Sequence, residues 1–199
     1  ALTFTAQNVF RVRYVDAVQT DQRGIVAERL SNVRYQLETV LTRDLSLLNS
    51  LAAFISSNPD FTEEQFNVYV RAVLDREATL INMAAAPDLI VRYVYPLAGN
   101  EEILGLDYRN SPEEREVVER VVSTGEMIMA GPLELLQGGL AVIGRAPVYV
   151  NENGQSRLWG IVSAPMRVEE LYQRAGLLDP ELGLRLAIRG RDGLGPRGQ

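Results

Sequence analysis

Stepping alternately four and three residues from Val26 touches Val26, Leu30, Val33, Leu37, Val40, Asp44, Leu47, Leu51 and Phe54, and of these Asp44 alone is not apolar. A 3–4 spacing kept up this long is the heptad signature of a helix packed along a seam. The pattern predicts a helix from about Asp16 to Ser57, roughly 60 Å at 1.5 Å per residue. A second apolar line, Leu41, Leu45, Leu48, Ala52 and Ile55, runs through the C-terminal half only. The first half therefore offers one narrow seam, enough for a partner helix, and the second half a face wide enough to pack into a domain. Asp44 stands where the two regimes meet. It reads first as a solvated charge and second as a register element.

Asn58-Pro59 stops this helix. Thr62 with Gln65 forms a capping box, and Phe61 with Phe66 a hydrophobic staple, so a new helix starts at once. It runs to about Arg76, with Phe66, Val70, Val73 and Leu74 on one face. From Leu80 the period changes. Leu80–Ala86 and Leu89–Leu97 read as strands, the second rich in β-branched and aromatic residues. Gly99-Asn100 marks a turn. Ser111 as cap, Pro112 at the first helical position, Glu114 closing a second box and Gly125 at the end outline another helix. Strands follow at about Glu126–Ala130, Leu140–Val150 and Ser156–Pro165, with Asn151–Gly154 a hairpin loop between the last two. A short helix, Val168–Ala175, stops at Gly176, and a last strand, Leu184–Arg189, runs into the Gly-rich tail Gly190–Gln199. Strands outnumber crossover helices and sit in hairpins, so the class is α+β with a mainly antiparallel sheet. The expected division is a stalk helix over 1–60, a helical connection over 61–79 and a core over 80–199.

The chemistry is narrowed by what the 199 residues lack. His and Cys are absent, and every one of the 20 basic residues is Arg. His triads, thiol nucleophiles, thiolate or imidazole metal sites, Walker-type loops and Schiff-base lysines are excluded together. The net charge of −6 argues against a nucleic-acid partner, which needs a basic face. No apolar run reaches the roughly 18–20 residues of a membrane helix. The start at Ala1 fits an excised or processed piece as well as a cytoplasmic protein. Glu101, Glu102 and Asp107 lie close together in a turn-rich segment and read as surface charge rather than as a catalytic pair. Gly138-Gly139 with Gly144 has the wrong spacing for a dinucleotide fingerprint, and Asn151 with Glu152 falls short of a calcium loop. No cofactor and no metal is expected.

A binding face is the better candidate. Tyr93 and Tyr95 share a face of one strand, Met127 and Met129 of another, and Arg145 and Tyr149 of a third. Tyr, Met and Arg on one sheet face would give soft apolar walls with a few orienting polar groups.

From Leu80 onward the chain resembles the CHASE domain family of extracytoplasmic sensory domains. The residues that carry the resemblance are Tyr95-Pro96, Gly99-Asn100, Leu104-Gly105-Leu106-Asp107-Tyr108, Ser111-Pro112 with Arg115, and Thr124-Gly125. It continues through Ala130-Gly131-Pro132-Leu133, Gln137-Gly138-Gly139 and Ile143-Gly144-Arg145-Ala146-Pro147-Val148-Tyr149. The resemblance implies a stalk helix carrying a PAS-like sheet, membrane helices flanking the domain outside this chain, and a periplasmic or extracellular position at the inner membrane. It also implies a cytoplasmic output domain, a diguanylate cyclase or histidine kinase. In the plant cytokinin receptors of this family the pocket is touched by an acidic residue before the capped helix and an apolar one on the next strand. Asp107 matches the first by residue type, and Met129 the second by position. The short segment between the stalk and Leu80 implies one main PAS-like sheet with a small helical cap. Bacterial relatives often carry a further strand beyond the point where this chain stops.

The leading expectation is therefore the ligand-binding sensor domain of a transmembrane receptor. An unidentified small molecule would contact Asp107, Met129, Tyr93, Tyr95, Arg145, Tyr149 and Met127, and the stalk would pair with that of a second protomer. The alternative is a ligand-free interaction or dimerisation module, whose pocket face would be closed by its own side chains. A carboxylate enzyme comes third and would need a second acid facing Asp107 across a cleft.

Overall fold

The computed structural model describes residues 2–74, 79–135 and 138–188, with backbone alone for 2–22 and 113. Helix α1 spans Leu2–Ser57, 56 residues, and begins well before the expected Asp16. Helix α2 is Glu63–Leu74; its expected end at Arg76 lies outside the described residues, as do Gln137, Arg189 and the tail 190–199. The capping box at the start of α2 is formed both ways. Thr62 N donates to Gln65 Oε1 at 2.8 Å, and Gln65 N donates to Thr62 Oγ1 at 3.2 Å. The staple rings of Phe61 and Phe66 lie 6.0 Å apart.

Strands β1 (Met83–Pro87), β2 (Tyr93–Tyr95), β3 (Ile128–Glu134), β4 (Leu140–Glu152) and β5 (Gln155–Arg167) form one antiparallel sheet in the order β2-β1-β5-β4-β3. Helix α3 (Pro112–Thr124) lies between β2 and β3, and α4 (Val168–Arg174) follows β5. The β4–β5 turn is tighter than the expected four residues. Asn153 and Gly154 both take positive φ, the two-residue turn whose twist matches the flanking strands.

Strand β1 starts at Met83 instead of Leu80, and two other expected strands change more. Asp88 and Leu89 adopt positive φ in a tight turn, and Val91 N donates to Leu106 O at 2.9 Å, so the chain joins the β1 ladder only at Tyr93–Tyr95. The expected strand Leu184–Arg189 has no ladder among its described residues. Leu184 and Leu186 are half-buried and Arg185 is exposed, so the alternation records one-sided burial without a strand partner.

The sheet has apolar layers on both faces. Leu48, Leu51 and Ile55 of α1 and Phe66 and Val70 of α2 cover one face, against Met83, Ala85, Ala146, Val148, Val162 and Ala164. The other face carries Ala84, Ala86, Val94, Ile128, Ala130 and Ile161, packed with Val117, Val118 and Val121 of α3. Helix α1 comes so close to the sheet that a Cβ at Gly144 would stand 2.7 Å from Leu45 Cδ2 and 3.3 Å from Leu48 Cδ2. The N-terminal part of α1 is different: Ile25, Val26 and Leu30 are exposed.

Asp44 is not solvated. It is fully buried, and its Oδ2 accepts from Thr79 N at 3.0 Å and from the Thr79 hydroxyl, while Arg43 Nε reaches Oδ1 at 3.2 Å. The carboxylate is tolerated inside because the Thr79 backbone and hydroxyl and the Arg43 guanidinium supply its donors. Far along the chain, Arg29 Nη1 donates to Leu182 O at 2.9 Å, so the segment after α4 returns to the exposed half of α1.

Candidate functional site

On the face turned away from α1, the sheet, α3 and the loop before α3 enclose a cavity of about 450 Å³. Strand parity puts Ile143 and Arg145 of β4 and Ser163 and Pro165 of β5 on its floor. Ile103, Leu106 and Tyr108 close it from the loop, and Ser111 and Glu114 from the start of α3. Asn82, just before β1, and Leu133, Glu134 and Leu135 complete the wall.

Arg145 dominates the polar part. Only 1% of it is exposed. Its Nη2 is paired with the Glu114 carboxylate, while Nε and Nη1 are buried with no protein partner. The guanidinium carbon lies 6.0 Å from the Tyr108 ring centroid. A guanidinium is donor-only, so those N–H groups can be satisfied only by an acceptor. Buried donors left unpaired are costly, and native structures keep few of them.

Glu114 reaches Arg145 instead of closing the expected capping box. Ser111 makes no side-chain cap bond to α3 and faces the cavity. The buried cation outcompetes a surface cap for the carboxylate, since both partners of that pair are charged and the guanidinium would otherwise be buried without a counter-charge. Tyr108 and Ser163 share a hydrogen bond at 3.2 Å between their oxygens. Burial pushes the Tyr108 hydroxyl above its ordinary pKa, outweighing the Arg145 charge and the hydrogen bonds with Ser163 and Arg145, which lower it. Tyr108 therefore stays a neutral phenol. Asn82 is fully buried; its Nδ2 donates to Asn100 Oδ1 at 2.6 Å, and its Oδ1 has no partner.

The residues expected to share one face are divided by the sheet. Arg145 alone of them lines the cavity. Tyr93 lies on the α1/α2 side, its ring 4.7 Å from Phe61 and 5.5 Å from Phe66. Tyr95 is on that side too, its hydroxyl accepting from Arg71 Nε at 2.8 Å. Met127 packs into the same layer, and Met129 stands opposite Gly144, the residue that touches Leu45. Tyr149 has the parity of Arg145 but lies four residues on, 37% exposed, with its hydroxyl near Gly125. Asp107 sits between two lining residues, Leu106 and Tyr108, but does not line the cavity itself. Arg109 Nε and Nη2 reach its two oxygens at 2.8 Å each, and Asn110 Nδ2 reaches Oδ2 at 3.0 Å. The hydrogen bond from Arg109 holds the Asp107 carboxyl below its ordinary pKa.

Asn82, Tyr108, Glu114 and Ser163 were missed as site residues. Two of them carried a signal: Asn82 and Ser163 are polar residues inside runs that are otherwise apolar. Among the described residues no cluster of acidic side chains suits a metal ion, and no helix is long and apolar enough to cross a membrane.

A PAS-like antiparallel sheet with a long N-terminal helix and a walled cavity on its far face defines a sensor-domain fold. The chain belongs to the CHASE domain family, which it matches over residues 85–196. No curated protein matches it in sequence. Among solved structures it is similar to an extracellular ligand binding receptor from Desulfohalobium retbaense DSM5692, at TM-score 0.61 and 12% identity over 74% of this chain and 26% of that one. It is also similar to the ligand-binding domain of the Pseudomonas aeruginosa PAO1 amino acid chemoreceptor PctC in complex with GABA, at TM-score 0.61 and 16% identity over 79% and 69%. A third similar structure is the sensory domain of the Campylobacter jejuni chemoreceptor Tlp3 with isoleucine bound, at TM-score 0.55 and 10% identity over 79% and 65%. The chain thus spans about a quarter of the first of these and about two thirds of the other two. At these identities the likeness is one of fold.

Proposed function

We propose that this chain is the sensing part of a transmembrane receptor at the inner membrane, binding a small organic molecule on the periplasmic or extracellular side. The observation that carries the reading is the cavity. Its volume suits a small ligand, its walls are largely apolar, and it holds a buried Arg145 with two unpartnered nitrogens. The small ligands in the PctC and Tlp3 structures, GABA and isoleucine, support the same reading. A module that binds no small molecule would close this face with its own side chains.

Transmission runs through α1. The floor of the cavity is one face of β4 and β5, and Gly144 on the opposite face of β4 lies so close to α1 that an added Cβ would crowd Leu45 and Leu48. A ligand that binds two arrangements of this sheet unequally shifts α1 by that difference in affinity and no more. The exposed seam of Val26 and Leu30 pairs with that of a second copy, and the helix pair passes the shift to a cytoplasmic diguanylate cyclase or histidine kinase. Asp107 acts as a positioning residue, bracing the loop that presents Leu106 and Tyr108. The test is a thermal-shift screen of a broad metabolite library against the wild type and Leu106→Trp, which fills the cavity. A ligand at a hundredfold its dissociation constant stabilises by about 2.7 kcal/mol. Hits abolished by Leu106→Trp support the reading; hits that all survive it, or a library with none, reject it.

A further inference from the structure

We infer that the molecule held in this cavity is uncharged, offering a hydrogen-bond acceptor to Arg145 and a hydrogen-bond donor to Asn82 across an apolar body. This rests on the sensor reading and adds the chemistry of the ligand.

The polarity at Asn82 is fixed from a distance. The Pro96 carbonyl can only accept, and Asn100 Nδ2 donates to it at 2.9 Å. That turns Asn100 Oδ1 towards Asn82, which must therefore donate, and its Nδ2 does so at 2.6 Å. Flipping the Asn82 amide would set two oxygens against each other. Asn82 Oδ1 is left buried and without a partner in the cavity wall, where only a donor satisfies it. At the other end Arg145 has the opposite demand. Nη2 is engaged by Glu114, and Nε and Nη1 make no hydrogen bond of ordinary geometry, with the Tyr108 hydroxyl standing near the guanidinium.

Charge then selects among donor–acceptor molecules. Arg145, the buried cation of this cavity, is already matched by Glu114, and a second carboxylate, Glu134, stands exposed at the rim. An incoming carboxylate would share Arg145 with Glu114, two anions on one cation. An ammonium group at Asn82 would meet a neutral oxygen, and Asp107, whose two oxygens are already taken, does not reach the cavity. Either ion would lose its hydration against Ile143, Leu106 and Pro165 without a full counter-charge. An amide, a lactam or a heteroaromatic ring with both N–H and C=O meets both ends and adds no charge. Arg145 pairs with Ser163, which pairs with Ala84, and Asn82 lies two residues before Ala84. The two ends are then on the order of 10 Å apart between Cα atoms. With both side chains reaching inward, that leaves room for one ring.

The test follows the Arg145 Nε–H signal by NMR during titration with three matched pairs: nicotinamide and nicotinate, uracil and orotate, 4-hydroxyacetophenone and 4-hydroxybenzoate. At least one uncharged member is expected to move the signal and to bind at least ten-fold more tightly than its acid. Asn82→Leu combined with Asn100→Leu, which leaves neither amide stranded, is expected to weaken that binding at least ten-fold while the amide spectrum stays folded. Acids that move the same signal at equal or lower concentration overturn the charge assignment and leave the cavity a ligand site. Affinity unchanged in the double variant overturns the donor at Asn82. If no probe moves the signal, the inference falls, while the sensor reading is judged separately by the Leu106→Trp screen.

Discussion

Asp44, in the middle of α1, accepts a hydrogen bond from the backbone N–H of Thr79 at 3.0 Å, joining two points 35 residues apart in a site with no solvent exposure. The bond fixes the height of α1 against the strand that starts four residues later. Asp44→Leu is expected to lower stability by about 2–3 kcal/mol, because it strands the buried Thr79 donors. Urea unfolding of the variant beside the wild type measures this. A loss under 0.5 kcal/mol, the ordinary range for a surface change, would remove Asp44 from the joint.

Gly144 sets how near α1 comes to the sheet. A valine there meets Leu45 and Leu48 at once. Gly144→Val is expected to cost about 1–3 kcal/mol through overpacking. Gly138→Val is no control, because its φ of 86° brings backbone strain of its own. Ala53→Val on α1 is the better comparison, since Ala53 is exposed; it should stay within about 0.5 kcal/mol.

Arg145 and Glu114 should behave as a pair. Removing Glu114 alone (Glu114→Leu) leaves a buried guanidinium with no counter-charge, at a cost of about 3 kcal/mol. Arg145→Met combined with Glu114→Leu is expected to recover most of that loss. A double-mutant cycle from denaturation curves reads the coupling, and additive losses would mean the two do not interact.

Asp107 gives a pH signature. Its folded pKa is lowered, so its contribution to stability is complete above the ordinary carboxylate pKa and fades as pH falls through the folded value. Carboxyl NMR should show Asp107 titrating below a free aspartate, with Arg109→Gln bringing it back towards the ordinary value. A normal midpoint in the wild type would mean that the Arg109 contact is not kept in solution.

The exposed seam of α1 makes the last prediction. Leu30→Glu is expected to reduce self-association in sedimentation equilibrium and to leave the unfolding midpoint of the domain within a degree or two, because Leu30 is 44% exposed and outside the core. If the wild type stays monomeric throughout, pairing through this seam is lost as a mechanism for the isolated chain.

Local chemistry was the legible part of the fold. Thr62 with Gln65 and Phe61 with Phe66 each depend on neighbours within a few residues, and they formed as their spacing implied; the β4–β5 hairpin also formed where expected, with a turn of two residues instead of four. The site was harder to read for a geometric reason. Alternation tells which residues of one strand share a face, but relating one strand's faces to another's needs the register. Tyr93, Tyr95, Met127 and Met129 therefore sorted to the α1 side and Arg145 to the cavity side. Glu114 looked like a cap because its true partner stands 31 residues later. Asp44 looked solvated because Thr79, which donates to it through both backbone N–H and hydroxyl, stands 35 residues later.

The hydrogen bond between Arg29 and the Leu182 carbonyl closes a loop of the chain at its neck. The strands, the cavity and α2 to α4 all lie within that loop, which is held to α1 a second time by the Leu48, Leu51 and Ile55 packing and by the Asp44–Thr79 bond. The two attachments differ in kind. The second is buried and carries core packing, whereas the first is exposed and is worth little on its own. The return segment can therefore part from α1 at small cost while the sheet stays seated on it.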